Sequence, residues 1–195
     1  HYNKAGLMMY TLSDFIGLDK FNNALKNFMD KYRYKSSPYA DIGTFVEIIK
    51  DNAPDDLLYL VDDIFSKITL YENKAKEASA IENGDGTFTV TMKVETKKVY
   101  SDSLGNQTNA KINDWLEIGV LGEKIVNGDK EEIPIYLEKV LIEDSLTTFT
   151  VQVDQKPIKA GIDPMHKFID RDSDDNLIRV SVRKADSNKT CLLYT

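Results

Sequence analysis

This chain has very little of what metal and thiol chemistry require. Cys191 is its only cysteine, which excludes an intrachain disulfide and any thiolate metal cluster. Histidine is nearly as scarce: His1 and His166 are the only two, and neither opens a His-Glu-x-x-His, so a zinc site built wholly from these residues is not expected. No apolar run approaches the roughly 18 to 20 residues that a membrane-spanning helix needs. There is no basic excess either. The net charge of -7 argues against nucleic acid or an anionic membrane surface as the main partner, since both select a basic face. Serines occur without a Gly-x-Ser-x-Gly elbow, and no glycine-rich phosphate loop is present.

What is present divides by period. The chain has 195 residues, 42% of them hydrophobic, enough for one sizeable core or two modest ones. From Leu7 to about Ile68 the apolar residues fall at helical steps. Leu7, Met8, Leu12, Phe15 and Ile16 open the series, and Asp19 stands at the N-cap of a second helix carrying Phe21, Leu25, Phe28, Met29 and Tyr32. Ser36-Ser37-Pro38 ends it, because the residue before a proline is pushed out of the helical region. Asp41 caps a third helix with Phe45, Val46 and Ile49. Pro54 with Asp55 and Asp56 starts a fourth with Leu57, Val61, Ile64 and Phe65. Short connections between four helices predict an antiparallel helical array over 1–71.

After Thr69 the period becomes two. Phe88, Val90, Met92 and Val94 alternate with polar residues behind the turn signal Asn83-Gly84-Asp85-Gly86. The alternation returns at 116–120, 133–137, 149–153 and 178–182, which predicts an antiparallel β-sandwich of about six to eight strands over 72–183. Residues 184–195 lose the pattern and read as a tail or an edge strand. The fold class expected is therefore α+β.

Few residues offer chemistry. Asp170-Arg171-Asp172-Ser173-Asp174-Asp175-Asn176 spaces oxygen ligands as a calcium loop does, but Asp175 replaces the turn glycine and Ser181 the bidentate glutamate, so the stretch reads as an exposed turn. Trp115 reads as core packing. Tyr2 ahead of an apolar helix reads, on its own, as packing too.

A resemblance alters the reading of Tyr2. Tyr2-Asn3-Lys4, then Met9-Tyr10-x-Leu12, Ile16-Gly17 and a Phe21-x-x-Ala24-Leu25-x-x-Phe28 helix ending in Tyr32 resemble the segment behind the zinc site in the aminopeptidase N family of zinc metallopeptidases. Asp63, Phe65, Ile68-x-Leu70-Tyr71, Ala160-Gly161-Ile162-Asp163-Pro164, Ile169-Asp170-Arg171 and Asp175-Asn176 are similar to the branch fused to an ABC-2 type transporter permease. The likeness spans about residues 1 to 182. One position departs: Ala5 occupies the glycine of Tyr-x-Lys-Gly, and Gly6 follows one step later.

The resemblance implies the end of a gluzincin catalytic domain followed by an immunoglobulin-like sandwich, with Tyr2 as the catalytic residue that hydrogen-bonds the oxyanion. It implies zinc in the parent protein, none in this fragment, and no metal or cofactor ligand among these residues. The expected partners are a peptide substrate and the zinc-bearing upstream half; no nucleic acid and no direct membrane insertion are expected. The fragment itself is expected to be soluble and inactive, membrane-associated only through the parent, and to pair as a homodimer or lose order at its cut helical edge. The alternative from another class is a noncatalytic helical and β-sandwich module that binds a protein or sugar.

Overall fold

The computed structural model describes residues 2–37 and 39–185, with the side chains of residues 2–4 left aside. Cys191 and most of the expected tail lie outside the described residues. The protein is mixed α and β, with four α-helices and mostly antiparallel sheets among the described residues. It divides into two units: residues 1–71, 98–110 and 167–169 in the first, and 72–97, 111–166 and 170–195 in the second.

The first unit opens with α1 (Tyr2–Ile16) and α2 (Leu18–Tyr32). Gly17 separates them at φ 98°, a backbone conformation that costs glycine little and any side chain much. Its carbonyl accepts from Phe21 N–H at 3.0 Å, so Gly17 takes the N-cap position that the sequence suggested for Asp19. α2 stops at Tyr32, well before Ser36. α3 (Ile42–Asn52) begins as its sequence dictates, with the Asp41 carboxylate accepting from Thr44 N–H at 2.8 Å. Pro54 precedes a single 3-10 turn, Asp55–Leu57, that leads into α4 (Leu58–Phe65). Three of the helices are stitched by aromatic edges: Phe28 of α2 meets Phe45 of α3 at 5.2 Å, and Phe45 meets Phe65 of α4 at 5.9 Å, both near perpendicular. Leu12, Ile49, Leu60 and Val61 are fully or almost fully buried beneath them, each such side chain contributing roughly 1.5 to 3 kcal/mol. No helix among the described residues is long and apolar enough to cross a membrane.

The strands are β1 (Ile68–Glu82), β2 (Phe88–Ser101), β3 (Gln107–Ala110), β4 (Asp114–Val126), β5 (Asp129–Ile142), β6 (Leu146–Val153), β7 (Lys159–Ile162), β8 (Leu177–Arg179) and β9 (Ser181–Lys184). One sheet runs β3-β2-β1-β9, with β6 also on β2; the other runs β5-β4-β7-β8. The β1–β2 turn closes with Asn83 N–H on Thr87 O at 2.8 Å, and Gly86 sits at φ 87°. At the β4–β5 turn Asn127 and Gly128 both have positive φ, 54° and 96°, the requirement of a two-residue hairpin whose twist suits its strands. Pro134 lies on the outer strand β5 where the register slips between Val120 and Leu121, a place where a missing N–H breaks no ladder bond.

In the second unit one core draws on both sheets: Ala78, Val90 and Met92 from one, and Ile118, Val120 and Ala160 from the other. Gly161 permits the tightest approach, since a Cβ there would stand 2.0 Å from the Asn176 carbonyl oxygen. One expectation needs correction. Residues 178–182 do not form one strand: β8 pairs antiparallel with β7, while β9 pairs parallel with β1, the chain changing sheets at Val180. β1 is a long strand that apolar periodicity did not reveal: its buried face carries Thr69, Asn73, Ala75, Ala78 and Ala80 beside Tyr71, and it slips by one residue at Lys76-Glu77.

Candidate functional site

Tyr2 is the first residue of α1; its side chain lies outside what the structure describes. Ala5 and Gly6 both lie within the helix, and a Cβ on Gly6 would meet nothing within 4 Å. The glycine position of the motif therefore asks for no unusual backbone here, and alanine extends the helix better than glycine does.

α1 is gripped further along by a short returning segment of the same unit. Thr11 Oγ1 shares its one proton between the Lys167 carbonyl and, at 2.9 Å, Leu7 O one turn back. Lys167 Nζ sits 2.9 Å from Asp14 Oδ2, and its side chain is only 4% exposed. Phe168 packs edge-on against Phe15 at 5.5 Å and against Tyr71 at 4.9 Å. Ile169 O accepts from Tyr71 N–H at 2.9 Å, fixing the segment to β1. A cavity of about 30 Å³ lies between α1, α4 and this segment, bordered by Leu7, Met8, Leu60, Ile64 and Phe168. That is room for a water molecule or two and not for a peptide.

Beside the cavity α4 presents Asp63, which the structure makes the centre of a charged cluster. Its side chain is 3% exposed and ion-paired with Lys98 Nζ, itself 4% exposed. Asp63 Oδ1 accepts from Lys67 Nζ at 2.9 Å and from the Tyr100 hydroxyl at 3.0 Å, and the Lys98 ammonium faces the rings of Tyr59, Tyr100 and Tyr71 at 5.2, 5.6 and 5.8 Å. The hydrogen bond to Asp63, with a smaller one to Tyr100, holds the Lys67 amine well above its ordinary pKa. Lys67 is thus an ammonium at neutral pH and has no lone pair for a base or a nucleophile. The arrangement is one carboxylate held between two ammonium groups, suited to holding α4 on β2 and not to proton transfer. Sequence reasoning named Asp63 only within the family likeness and passed over Lys98. The signal was present: Val90, Met92, Val94 and Thr96 carry the inward stripe of β2 directly onto Lys98.

The acidic stretch is a turn, as its residues suggested, with a single 3-10 turn at Ser173–Asp175. Asp170 accepts from Asn73 N–H at 3.0 Å and Asp172 N–H at 3.1 Å, and burial nevertheless keeps its carboxyl above the usual carboxylate value. Around it an open, polar depression of about 250 Å³ is crossed by ion pairs of 2.7 Å between Lys74 and Asp175 and between Arg171 and Glu72. His166 is exposed, at φ 51°, and donates its N–H to Asp163 O. Trp115 is half-buried. Among the described residues no three His, Cys, Asp or Glu side chains are placed to hold a metal ion.

No protein-family model matches the chain, and no curated protein matches it.

Proposed function

We propose that the chain is the C-terminal part of a membrane-linked zinc aminopeptidase: the last helices of the catalytic domain followed by an immunoglobulin-like sandwich. The observation that carries this reading is the motif series running from Tyr2-Asn3-Lys4 through Phe21-x-x-Ala24-Leu25 and Ala160-Gly161-Ile162-Asp163-Pro164 to Asp175-Asn176. The start of α1 at Tyr2 is compatible with it, and two sheets sharing one core support the sandwich half.

In this reading the chain contributes one hydrogen bond to the chemistry. The Tyr2 hydroxyl donates to the oxygen that gains charge when the peptide carbonyl is attacked, and a fixed donor of that kind contributes roughly 10² to 10³ in kcat. Zinc, and the glutamates that go with it, belong to the zinc-bearing half of the parent, and no step through zinc is assigned to residues of this chain. Peptide substrate and that half are its partners.

The exposed Tyr34, Tyr39 and Ile42 at the α2–α3 connection favour the second reading, a noncatalytic module that binds another protein. One comparison separates the two. Zinc-dependent release of N-terminal residues from peptides is expected of the longer parent chain and not of these 195 residues alone. Turnover by the 195-residue chain, or a parent without peptidase activity, overturns the enzyme reading.

A further inference from the structure

The segment 167–169 does more than fill space beneath α1. Its three consecutive residues divide two tasks: Ile169 is fixed to the β1 backbone through Tyr71 N–H, while Lys167 and Phe168 hold α1 through Thr11, Asp14 and Phe15. Positions 11, 14 and 15 are three and four apart, so the segment meets one face of the helix. The three ties differ in kind: a hydroxyl on a carbonyl, an ammonium on a carboxylate, and a ring edge on a ring. Together they fix rotation and tilt as well as distance. Lys167 is buried almost completely to reach Asp14, and a lysine gives up its hydration and rotamer freedom only where the partner holds it in place.

We propose that Lys167 and Asp14 form a clasp that sets the direction of α1 and thereby positions Tyr2, making Lys167 a positioning residue for whatever Tyr2 does. The lever is long. With a rise of 1.5 Å per residue, Tyr2 stands about 14 Å along the helix from Thr11, so a tilt of about 4° at the clasp moves the helix start by ~1 Å. A misplacement of about 1 Å in a catalytic group costs on the order of 100-fold in rate. The catalytic half of this proposal rests on the aminopeptidase reading; the mechanical half does not.

The test has two arms. In the 195-residue chain, Lys167→Met, Asp14→Asn and Thr11→Val are compared by amide hydrogen exchange. The clasp predicts at least tenfold faster exchange at the amides of residues 6–15 of α1 in each variant, with α3 amides unchanged. In the longer parent enzyme, Lys167→Met is expected to lower kcat by ten- to a hundredfold with KM within twofold. Lys167→Arg, which keeps the cation, recovers most of it, and the loss does not add to that of Tyr2→Phe. Unchanged exchange in α1 in all three variants overturns the clasp. A parent in which Tyr2→Phe is severely impaired but Lys167→Met keeps full kcat overturns the positioning role. A parent that keeps full rate with Tyr2→Phe sinks the peptidase reading instead, and the exchange arm still decides the clasp.

Discussion

Replacing Asp63 by asparagine tests how the first unit is held together. Asp63 and Lys98 are 3% and 4% exposed, so neither charge has water to fall back on. Attraction between buried charges mainly offsets the cost of removing them from water, and deleting one partner leaves the other stranded, at a cost of about 3 to 5 kcal/mol. Asp63→Asn keeps the shape and one acceptor oxygen for Lys67 or Tyr100, so the loss expected is near the lower end, about 3 kcal/mol. At 1.4 kcal/mol per tenfold, that is roughly a 100-fold rise in the opening constant. Hydrogen exchange read at the amides of α4 and of 98–101 in β2 measures it directly, where opening and closing outpace exchange. The paired change Asp63→Leu with Lys98→Met, which removes both charges, is expected to restore most of the protection. An Asp63→Asn chain with less than a fivefold change, or a double variant weaker than either single one, would refute the account of the cluster as a buried, mutually dependent pair.

Other outcomes follow from the second unit. Gly161→Ala places a methyl 2.0 Å from the Asn176 carbonyl oxygen, a backbone atom with no room to move, and is expected to cost about 3 kcal/mol or more in urea unfolding followed by Trp115 fluorescence. A loss below 1 kcal/mol would contradict the close packing of β7 on the 173–176 turn. Asp170 is expected to titrate above the ordinary carboxylate value of 3.8, because burial outweighs the hydrogen bonds it accepts from Asn73, Asp172 and the Asn176 side chain. The sign follows: with the folded value raised, its contribution to stability is complete below the unfolded pKa and is lost as pH rises through the folded one. Carbon-detected NMR of the Asp170 carboxyl with a midpoint at or below 3.8 would reverse that sign.

Much of this architecture could be read from residue order, and the reasons differ by element. The start of α3 was legible to the residue because Asp41 caps it with its own side chain, a local interaction that sequence carries in full. The Asn127-Gly128 hairpin is local in the same sense, since it needs two positive φ values that such residues adopt readily. β1 was hidden because its inward positions hold Thr69, Asn73 and alanines in place of large apolar residues and the alternation slips at Lys76-Glu77; its pairing with β2 and β9 makes it a strand. The split between β8 and β9 was hidden as well, since Ile178, Val180 and Val182 keep one period while the chain changes sheets. The charged cluster was half visible, as a lysine at the end of an apolar stripe; its partner Asp63 lies 35 positions earlier, on a helix that no local pattern connects to it. Lys167 and Asp14, separated by more than 150 positions, left no trace in the sequence at all.

The central claim is that Tyr2 supplies the oxyanion donor of an aminopeptidase, and steady-state kinetics of Tyr2→Phe in the longer parent chain tests it most directly. The account predicts a fall in kcat of about 10² to 10³ with KM within a fewfold, since the lost hydrogen bond forms only as charge develops. A Tyr2→Phe enzyme at full rate, or one whose loss falls wholly on KM, would contradict it.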